Sequence, residues 1–318
     1  MQTYATDLDA ILTAQKTIAP HAHATPVLTS TTLNRLAGRK LYLKCENLQK
    51  VGAFKIRGAL NAVLRLPEDV ARRGVVTHSS GNHAQALALA AKTRGIPAHV
   101  VMPEGSTRVK RDAVLGYGAR IVSCEPTLEA RERTAREVAD ETGATLIPPY
   151  DHPDVIAGQG TVALELLEQV PELDAVIAPI GGGGLASGIA IALKARAPGT
   201  LVFGAEPQGA DDAARSKAKG ELLPQTDPRT IADGLRAGLG ELTWPIIRDR
   251  VDRIFTVSDT EIVGAMRLVM ERMKLVVEPS GVVSVAVALS DVVRSMPGLG
   301  RVGVVISGGN VDLGALPF

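Results

Sequence analysis

The stretch VVTHSSGNHAQALALAAKTRGIPAHVVMPE, residues 75–104, decides the fold because it holds a complete strand, helix and strand unit. VVTH and AHVVMPE are short runs rich in β-branched residues, and AQALALAAKTRG between them has the composition of a helix that ends at Gly95. Two strands joined by a crossover helix pair in parallel. The stretch therefore predicts an α/β protein.

The alternation of strand and helix continues through RVKRDAVLGYG, RIVSCE, a charged helix with Gly143 at its end, and TLIPPY. A second series opens with DAVIAPI, passes through LVFGAE and ends in RVGVVISGG. We expect two open, mostly parallel twisted sheets with flanking helices. Residues 1–74 and 150–318 are predicted to form a large domain, and residues 75–149 a small mobile domain. Ligands of such sheets bind at the carboxyl ends of strands, where the glycine- and serine-rich segments lie.

The charge balance argues against a nucleic-acid or membrane partner. Lysine and arginine number 35 and aspartate and glutamate 34 among 318 residues, so no excess field draws the protein to a polyanion. The N-terminus lacks the pattern of a signal peptide, and no apolar stretch reaches membrane-spanning length. Cys45 and Cys124 fit no metal or disulfide spacing, so we expect buried thiols in a reducing compartment. A cytoplasmic protein that acts on a small molecule is predicted.

The segment GAFKIRGA, residues 52–59, places Lys55 between the strand-like LYLKCENL and the helical pattern IRGALNAVLRL. A lysine at such a junction projects into the space above a sheet, and burial there lowers its pKa toward the neutral amine that attacks an aldehyde. The alternative from composition is a solvated lysine at a helix start.

A turn of hydrogen-bond donors follows the strand VVTH and is predicted to grip a carboxylate. Hydroxyl, amide and free backbone N–H groups there lie at a helix N-terminus, whose dipole favours an anion. N-capping by Ser80 or Asn82 is the simpler interpretation and explains part of the run. The residues of this turn are Ser79, Ser80, Gly81, Asn82 and His83.

A run of glycines between the strand DAVIAPI and the helical LASGIAIALKA is predicted to bind a phosphate. Without Cβ atoms, successive backbone N–H groups can close on the phosphate at a helix N-terminus. Three positions of this segment also match the dinucleotide fingerprint G-x-G-x-x-A, with Glu206 where a ribose-binding acid belongs. A dinucleotide enzyme has no use for the lysine or the second anion-binding turn, which weakens this alternative. The glycines are Gly181, Gly182, Gly183 and Gly184, and the fingerprint uses Gly181, Gly183 and Ala186.

Two further segments carry polar groups suited to chemistry. Ser307 follows the strand VGVVI, and its hydroxyl suits a hydrogen bond to a pyridine nitrogen, although taken alone the segment SGGN is a turn. Glu206 and Asp212 lie around one loop, and hard cations such as Mg²⁺ and Ca²⁺ favour oxygen ligands of this kind. A solvated acidic turn is the alternative for the loop.

Taken together and in this order, the motifs resemble the serine racemase and threonine dehydratase family of fold type II pyridoxal-phosphate enzymes. The resemblance covers nearly the whole chain and is strongest in THSSGNHAQALALAAK, VIAGQGTVALE, TIADGL, TWPIIRD, ERMKLVVEPS and SGGNVDL. It implies a Schiff base between pyridoxal phosphate and Lys55, with Phe54 beside the cofactor ring. It also implies Asn82 at the ring hydroxyl, Ser307 at the ring nitrogen and Gly181–Gly184 at the phosphate, so that the large domain binds the cofactor.

The resemblance implies two reactions at one site. Members that racemise serine use a serine at the position of Ser80 as a second base opposite the lysine, whereas typical threonine dehydratases have alanine there. Lys55 and Ser80 would then bracket the substrate Cα, which is the minimal requirement for inverting a stereocentre. Because the same carbanion can expel its β-hydroxyl, we expect dehydration of L-serine to pyruvate and ammonia beside racemisation.

Substrate choice stays open at this point. Ala237 stands where animal members have a serine, and Tyr150 replaces an asparagine beside the ring. Relatives that dehydrate threo-3-hydroxyaspartate or L-threonine share the scaffold, and Arg131 suits a second carboxylate as well as the first. The alternative for Arg131 is a solvated charge on the helix TLEARERTAREV. A catalytically silent cofactor-binding relative is the alternative for the whole protein.

The resemblance further implies a metal ion, a nucleotide and a partner subunit. Glu206, the Ala210 carbonyl and Asp212 are expected to bind Mg²⁺, Ca²⁺ or Mn²⁺. We expect a homodimer, with ATP as a candidate effector at its interface. The residues that match the family's ATP-contacting set are Lys50, Lys110, Tyr117 and Lys274.

Overall fold

The structure is a computed structural model that describes residues 4–106 and 108–318. The strands are β1 (Val27–Leu28), β2 (Lys40–Cys45), β3 (Val75–His78), β4 (Ala98–Pro103), β5 (Arg120–Cys124), β6 (Thr145–Leu146), β7 (Ala175–Pro179), β8 (Leu201–Pro207), β9 (Arg253–Val257) and β10 (Arg301–Ile306). The α-helices are α1 (Leu8–Ile18), α2 (Thr31–Ala37), α3 (Lys55–Leu64), α4 (Glu68–Ala71), α5 (Asn82–Arg94), α6 (Arg108–Gly116), α7 (Leu128–Thr142), α8 (Pro153–Gln169), α9 (Gly184–Arg196), α10 (Asp212–Lys219), α11 (Thr243–Arg250), α12 (Asp259–Met273), α13 (Val283–Leu289) and α14 (Asp291–Arg294). Short 3-10 helices are Glu46–Leu48, Lys50–Gly52, Asp233–Leu235 and Pro279–Val282.

The larger sheet has six strands in the order β1-β2-β10-β7-β8-β9. β1 is antiparallel to β2, and the other neighbours are parallel. Every residue of β7 is buried, which explains the continuous apolar run AVIAP. Successive side chains of this strand enter different cores, since Val176 packs in the apolar cluster on one face and Ile177 in the cluster on the other.

The smaller sheet has four parallel strands in the order β5-β4-β3-β6. All four lie between residues 75 and 149, and the strands of the larger sheet lie outside that range. The predicted α/β fold with two open, mostly parallel sheets is confirmed. The division into a large and a small mobile domain stays a prediction.

Helix boundaries follow the predicted glycines at one end and differ at the other. Gly95 after α5 and Gly143 after α7 adopt left-handed backbone, with φ of 73° and 70°, which favours glycine. α5 begins at Asn82 rather than near Ala84, so the Asn82 side chain lies in the first helical turn. Two short 3-10 helices separate β2 from α3, and Lys55 is the first residue of α3.

A buried cluster of four charged side chains fixes α3 beneath its first turn. Arg57 on α3 donates to Glu46 Oε2 at 2.7 Å and to Glu165 Oε1 at 2.6 Å. Lys44 on β2 donates to Glu165 Oε2 at 2.7 Å. Because two positive and two negative charges balance, the group can be buried without a net charge. The cluster ties α3 to β2 and α8.

Both cysteines are buried free thiols, as predicted. Burial raises the pKa of the Cys45 thiol to about 12, which keeps that thiol protonated and unreactive near neutral pH. Within the two described ranges, no helix has the length and apolar composition needed to cross a membrane.

Candidate active site

Lys55 lies at the start of α3 with its amine hydrogen-bonded inside the molecule. Nζ donates a 2.7 Å hydrogen bond to the Pro149 carbonyl and lies 5.0 Å from the centre of the Phe54 ring. Desolvation lowers the pKa of Lys55 to about 8, although the nearby Glu278 carboxyl opposes the shift. About half of the amine is therefore neutral at pH 8, and the neutral amine is the form that attacks an aldehyde. The interpretation as a fully solvated lysine does not fit this position.

The glycine run after β7 is buried and packs against two neighbouring segments. A Cβ at Gly182 would lie 2.3 Å from the Tyr150 ring, and one at Gly183 would lie 2.9 Å from Thr243 Cβ. Thr243 Oγ1 donates a 2.9 Å hydrogen bond to the Gly182 carbonyl, which fixes the backbone of the run. α9 begins at Gly184, so backbone N–H groups of the run lie at a helix N-terminus. This arrangement suits a phosphate.

The Asn82 carboxamide is held on two sides. Its Nδ2 donates to Glu278 Oε1 at 2.7 Å, and its Oδ1 accepts from Asn310 Nδ2 at 2.8 Å. Asn310 Nδ2 also donates to the Val51 carbonyl at 2.7 Å. The first turn of α5, the turn after β10 and the segment before Lys55 are thereby joined.

Ser307 follows β10 and is buried beside the lysine segment. Its Oγ donates a long hydrogen bond of 3.4 Å to the Ser280 carbonyl, and its own carbonyl accepts from the Phe54 N–H at 3.1 Å. A bridge between Ala53 and Gly308 adds a second contact. Ser307 and Lys55 therefore lie on directly paired segments.

In the turn between β3 and α5, no side chain forms a capping hydrogen bond to the start of the helix. Gly81 is the N-cap of α5 and neither Ser80 nor Asn82 caps the helix, so the capping interpretation is wrong. Ser79 Oγ accepts from the Gly81 N–H at 3.3 Å, and the Ser80 side chain is partly exposed. The turn lies at the carboxyl end of β3, where a ligand of the small sheet is expected.

His83 is a buried neutral imidazole at this turn. Desolvation, with a smaller contribution from the positive charge of Lys55, lowers its pKa to about 3. Nε2 lies 3.1 Å from the Ile147 carbonyl and therefore carries the proton. Nδ1 is buried without a hydrogen-bond partner among the described residues. Because Lys55 Nζ contacts the Pro149 carbonyl two residues further along the same segment, His83 and Lys55 lie at one site.

Arg131 lies on α7, partly exposed, with Nε donating to the Thr127 carbonyl at 3.3 Å. Desolvation is the main cause of the lowered pKa of His78 at the end of β3, and the Arg131 charge contributes to it. α7 packs against β3, so Arg131 lies on a helix beside the strand that leads into the Ser79 to His83 turn. No carboxylate in the described part of the chain pairs with its guanidinium.

Glu206 and Asp212 form a pair of fully buried carboxyls. Glu206 accepts from the N–H groups of Ala213 and Ala214 at 3.1 and 2.8 Å, and Asp212 accepts from Gln225 Nε2 at 3.1 Å. Desolvation raises the pKa of both acids, and the charge of Asp212 raises that of Glu206 further. Across the described ranges, neither carboxylate pairs with a cationic side chain. The interpretation of this loop as a solvated acidic turn is therefore wrong.

This pair fits a hard divalent cation. Two buried carboxylates and the buried Ala210 backbone are oxygen donors, and a cation would offset the charge that the pair buries. The described residues contain no cluster of three His, Cys, Asp or Glu side chains around a common point, so water would complete the coordination.

The dinucleotide interpretation is wrong. The Glu206 carboxyl accepts hydrogen bonds from the backbone N–H groups of Ala213 and Ala214, which hold it within its own loop. It is fully buried. It therefore has no exposed oxygen for a ribose hydroxyl.

The predicted nucleotide set is dispersed over several elements. Lys110 on α6 pairs with Asp233 at 3.2 Å, and Tyr117 packs against the apolar cluster of the small sheet. Lys274 follows α12 in left-handed backbone with φ of 61°. A nucleotide site between two subunits stays a prediction.

The glycine run Gly181–Gly184, hereafter the phosphate cradle, and Lys55 lie near the carboxyl ends of parallel strands. This arrangement suits a cofactor that carries both a phosphate and an aldehyde. The fold and site thus define an α/β enzyme that uses such a cofactor. The family described as "Pyridoxal-phosphate dependent enzyme" matches residues 18–308, and the chain belongs to this family.

Full-length relatives have related activities. The chain is 52% identical over 318 residues to the serine racemase of Arabidopsis thaliana, with 99% of this chain and 96% of the relative covered. It is 50% identical to the beta-hydroxyaspartate dehydratase of Paracoccus denitrificans, with 97% of each chain covered. The solved structure of maize serine racemase superposes with a TM-score of 0.96 at 52% identity, covering 98% of this chain and 95% of that one. The predicted resemblance is confirmed.

Three groups at the site were not predicted as functional. The Pro149 carbonyl contacts Lys55, Glu278 contacts Asn82, and Asp151 accepts from the Thr243 N–H at 3.1 Å. Glu278 lies in the motif ERMKLVVEPS, where an acid between buried Val277 and a proline was the available signal. A backbone carbonyl leaves no such signal in the sequence.

Proposed function

We propose that the chain is a pyridoxal-phosphate dependent serine racemase that also dehydrates L-serine to pyruvate and ammonia. The observation that carries the proposal is that Lys55 Nζ and His83 Nε2, the latter from the turn that contains Ser80, contact the carbonyls of Pro149 and Ile147 on one segment. The 52% identity to a serine racemase over almost the whole chain supports the choice of substrate. The alternative of a catalytically silent relative has no support from this set of residues.

The residues present fit the cofactor. Gly181–Gly184 bring backbone N–H groups to the N-terminus of α9, and Lys55 offers an amine that is partly neutral near physiological pH. When bound there, pyridoxal phosphate supplies an electron sink that makes the α-proton of an amino acid acidic. Asn82 would hold the ring hydroxyl, Ser307 the ring nitrogen, and Phe54 would pack beside the ring.

Two groups would move the substrate α-proton. Lys55 would take or return it on one side of Cα, and the Ser80 hydroxyl on the other. Ser79, Asn82 and His83 belong to the turn at the N-terminus of α5 that would hold the substrate carboxylate. Departure of the β-hydroxyl with a proton releases water, and hydrolysis of the remainder yields pyruvate and ammonia.

The test is production of D-serine and pyruvate from L-serine by wild type and Lys55→Ala. Both products should be lost in the variant, because it removes the cofactor attachment and one base together. Full turnover with normal cofactor absorbance would overturn the proposal. Lys55→Arg is the matched control, since it keeps a positive charge without a nucleophilic amine.

A second candidate is dehydration of 3-hydroxyaspartate. Arg131 lies near the end of β3 without a carboxylate partner among the described residues, and a dicarboxylic substrate would supply one. The 50% identity to a beta-hydroxyaspartate dehydratase also favours it. Rates on L-serine, L-threonine and threo-3-hydroxyaspartate, with chiral analysis of recovered amino acid, separate the candidates. Arg131→Ala should selectively lower the rate on hydroxyaspartate if Arg131 binds its second carboxylate.

We also propose Mg²⁺, Ca²⁺ or Mn²⁺ at Glu206, the Ala210 carbonyl and Asp212. A cytoplasmic homodimer, a mobile domain at residues 75–149 and ATP as an effector complete the proposal. Light scattering of the purified holoenzyme tests the dimer. Rates with and without ATP at fixed metal concentration test the effector.

A further inference from the structure

The Glu278 carboxyl is a buried acid at the site that the proposed proton transfers do not use. It accepts from Asn82 Nδ2 at 2.7 Å, and the backbone N–H of Asn310 forms a further hydrogen bond to it. A Cβ at Gly308 would lie 2.2 Å from Oε1, so the carboxyl packs directly on the turn after β10. Glu278 is therefore held in one place by groups from two other segments.

The neighbours of Asn82 allow only one orientation of its carboxamide. Rotation by 180° exchanges the oxygen and nitrogen at almost no steric cost, so hydrogen bonds must choose between the two orientations. Asn310 Nδ2 uses its two N–H groups on the Val51 carbonyl and on Asn82 Oδ1. In the flipped orientation, the NH₂ group of Asn82 would face the NH₂ group of Asn310, and two donors cannot form a hydrogen bond. The observed orientation satisfies Asn310 and Glu278 together.

One N–H of Asn82 then remains for a ligand. The oxygen is bonded to Asn310 and one N–H to Glu278, and the second N–H has no partner in the described parts of the chain. An amide fixed in this way presents a donor, never an acceptor, at its free position. The oxygen of a cofactor ring hydroxyl accepts such a donor.

We propose that Glu278 is a positioning residue, which accepts one N–H of Asn82 and thereby holds the other N–H for the ring oxygen of the cofactor. The inference rests on the proposed function, because the ring oxygen is the group that Asn82 would meet there. Burial supports the role, since desolvation raises the pKa of Glu278 to about 8 and the acid accepts the hydrogen bond near neutral pH without a full buried charge. The Asp233 charge also raises the pKa of Glu278, whereas the Lys110 charge lowers it.

A double-mutant cycle on cofactor affinity tests the inference. Apoprotein of wild type, Glu278→Ala, Asn82→Ala and the double variant is titrated with pyridoxal phosphate, followed by the cofactor's absorbance. Glu278→Ala should weaken binding roughly tenfold or more and shift the absorption band, as expected for loss of a hydrogen bond at a buried polar group. In the Asn82→Ala background the same change should cost less than about twofold. Additive losses, or no loss in Glu278→Ala, would overturn the inference.

Two controls separate positioning from packing. Glu278→Gln keeps an oxygen that accepts from Asn82, so affinity and absorption band should return close to wild type; a loss equal to that of Glu278→Ala would contradict the role. Asp174→Ala removes a carboxyl that accepts two backbone N–H groups at 2.7 Å at the opposite end of the large sheet, and it should leave the band unchanged. A wild type that binds no cofactor would sink the proposed function itself. Normal wild-type binding with additive losses sinks only the role of Glu278.

Discussion

The Lys55 amine and the Pro149 carbonyl form a 2.7 Å hydrogen bond that joins the first residue of α3 to the segment leaving the small sheet. The next residue of that segment, Tyr150, covers Gly182, and the one after, Asp151, accepts from the Leu242 and Thr243 N–H groups at 3.0 and 3.1 Å. Three consecutive residues thus contact the lysine, the phosphate cradle and the start of α11. A displacement of this segment would therefore alter the contacts of Lys55, of Gly182 and of the start of α11.

The apoprotein should bind pyridoxal phosphate faster as the pH rises to about 8 and then level off. The pKa of Lys55 is lowered to about 8, so the neutral amine increases below that pH and saturates above it. An ordinary lysine would continue to gain neutral amine toward a pKa of about 10.4. Stopped-flow absorbance between about pH 6 and about pH 10 measures the profile. A rate that still rises tenfold per pH unit above pH 9 would contradict the lowered pKa.

Gly182→Ala should weaken cofactor binding by tenfold or more, on the order of 1.4 kcal/mol. The new Cβ would lie 2.3 Å from the Tyr150 ring, so either the ring or the cradle must shift. Adding Tyr150→Ala should restore part of the affinity, because it removes the obstructing ring. Gly199→Ala is the matched control, since nothing lies within 4 Å of its added Cβ. Equal affinities for Gly182→Ala and Gly199→Ala would rule out a closely packed cradle.

Arg57→Ala should destabilise the apoprotein by about 3–5 kcal/mol, because it leaves the Glu46 and Glu165 carboxylates short of one buried cation. Urea denaturation of the apoprotein measures the change without any contribution from cofactor. Arg108→Ala breaks an exposed pair with Asp112 and should cost less than about 1 kcal/mol. A similar cost for both variants would mean that the buried cluster adds nothing beyond a surface pair.

Local patterns were sufficient to predict both sheets and the turns at the ends of β3, β7 and β10, because apolar runs and glycines act over a few residues. The same patterns failed for contacts between distant segments. Nothing near Glu278 in sequence indicates that its carboxyl meets Asn82, and nothing near Pro149 indicates that its carbonyl accepts from Lys55. Such distances are set by the packing of whole elements. The roles of Lys55 and Ser80 in turnover stay predictions.

Removal of divalent cations should lower the melting temperature, and Mg²⁺, Ca²⁺ or Mn²⁺ should restore it. A cation bound only to the folded chain stabilises it by mass action, and Glu206 and Asp212 form a buried pair that lacks a cationic partner among the described residues. Melting after exhaustive EDTA treatment, with metal added back, measures the effect. Glu206→Gln should abolish the response to metal, whereas Asp211→Asn, at a partly exposed acid paired with Arg215, should keep it. A response that survives in Glu206→Gln places the metal elsewhere.

Ser80→Ala should separate racemisation from dehydration. Lys55 can remove the α-proton of L-serine from its own side, but inversion needs a proton donor on the opposite face. Ser80 lies on the turn that leads into α5 and makes no capping bond there, so its hydroxyl is available for that task. Alanine keeps the volume nearly unchanged and removes only the hydroxyl. Pyruvate formation from L-serine should survive, because it needs only the lysine.

D-serine formation, and any attack on D-serine, should fall by roughly 10²-fold or more in this variant, as is typical for loss of a general acid or base. The measurement is D-serine and pyruvate production at equal cofactor occupancy, with Ser79→Ala as the matched control on the same turn. Ser79 Oγ accepts from the Gly81 N–H and so shapes the turn, which makes an equal loss of both products the expected signature of a structural defect. Such an equal loss in Ser80→Ala would reduce Ser80 to the same structural role. Undiminished D-serine would remove it from the mechanism, since the second proton would then come from another group.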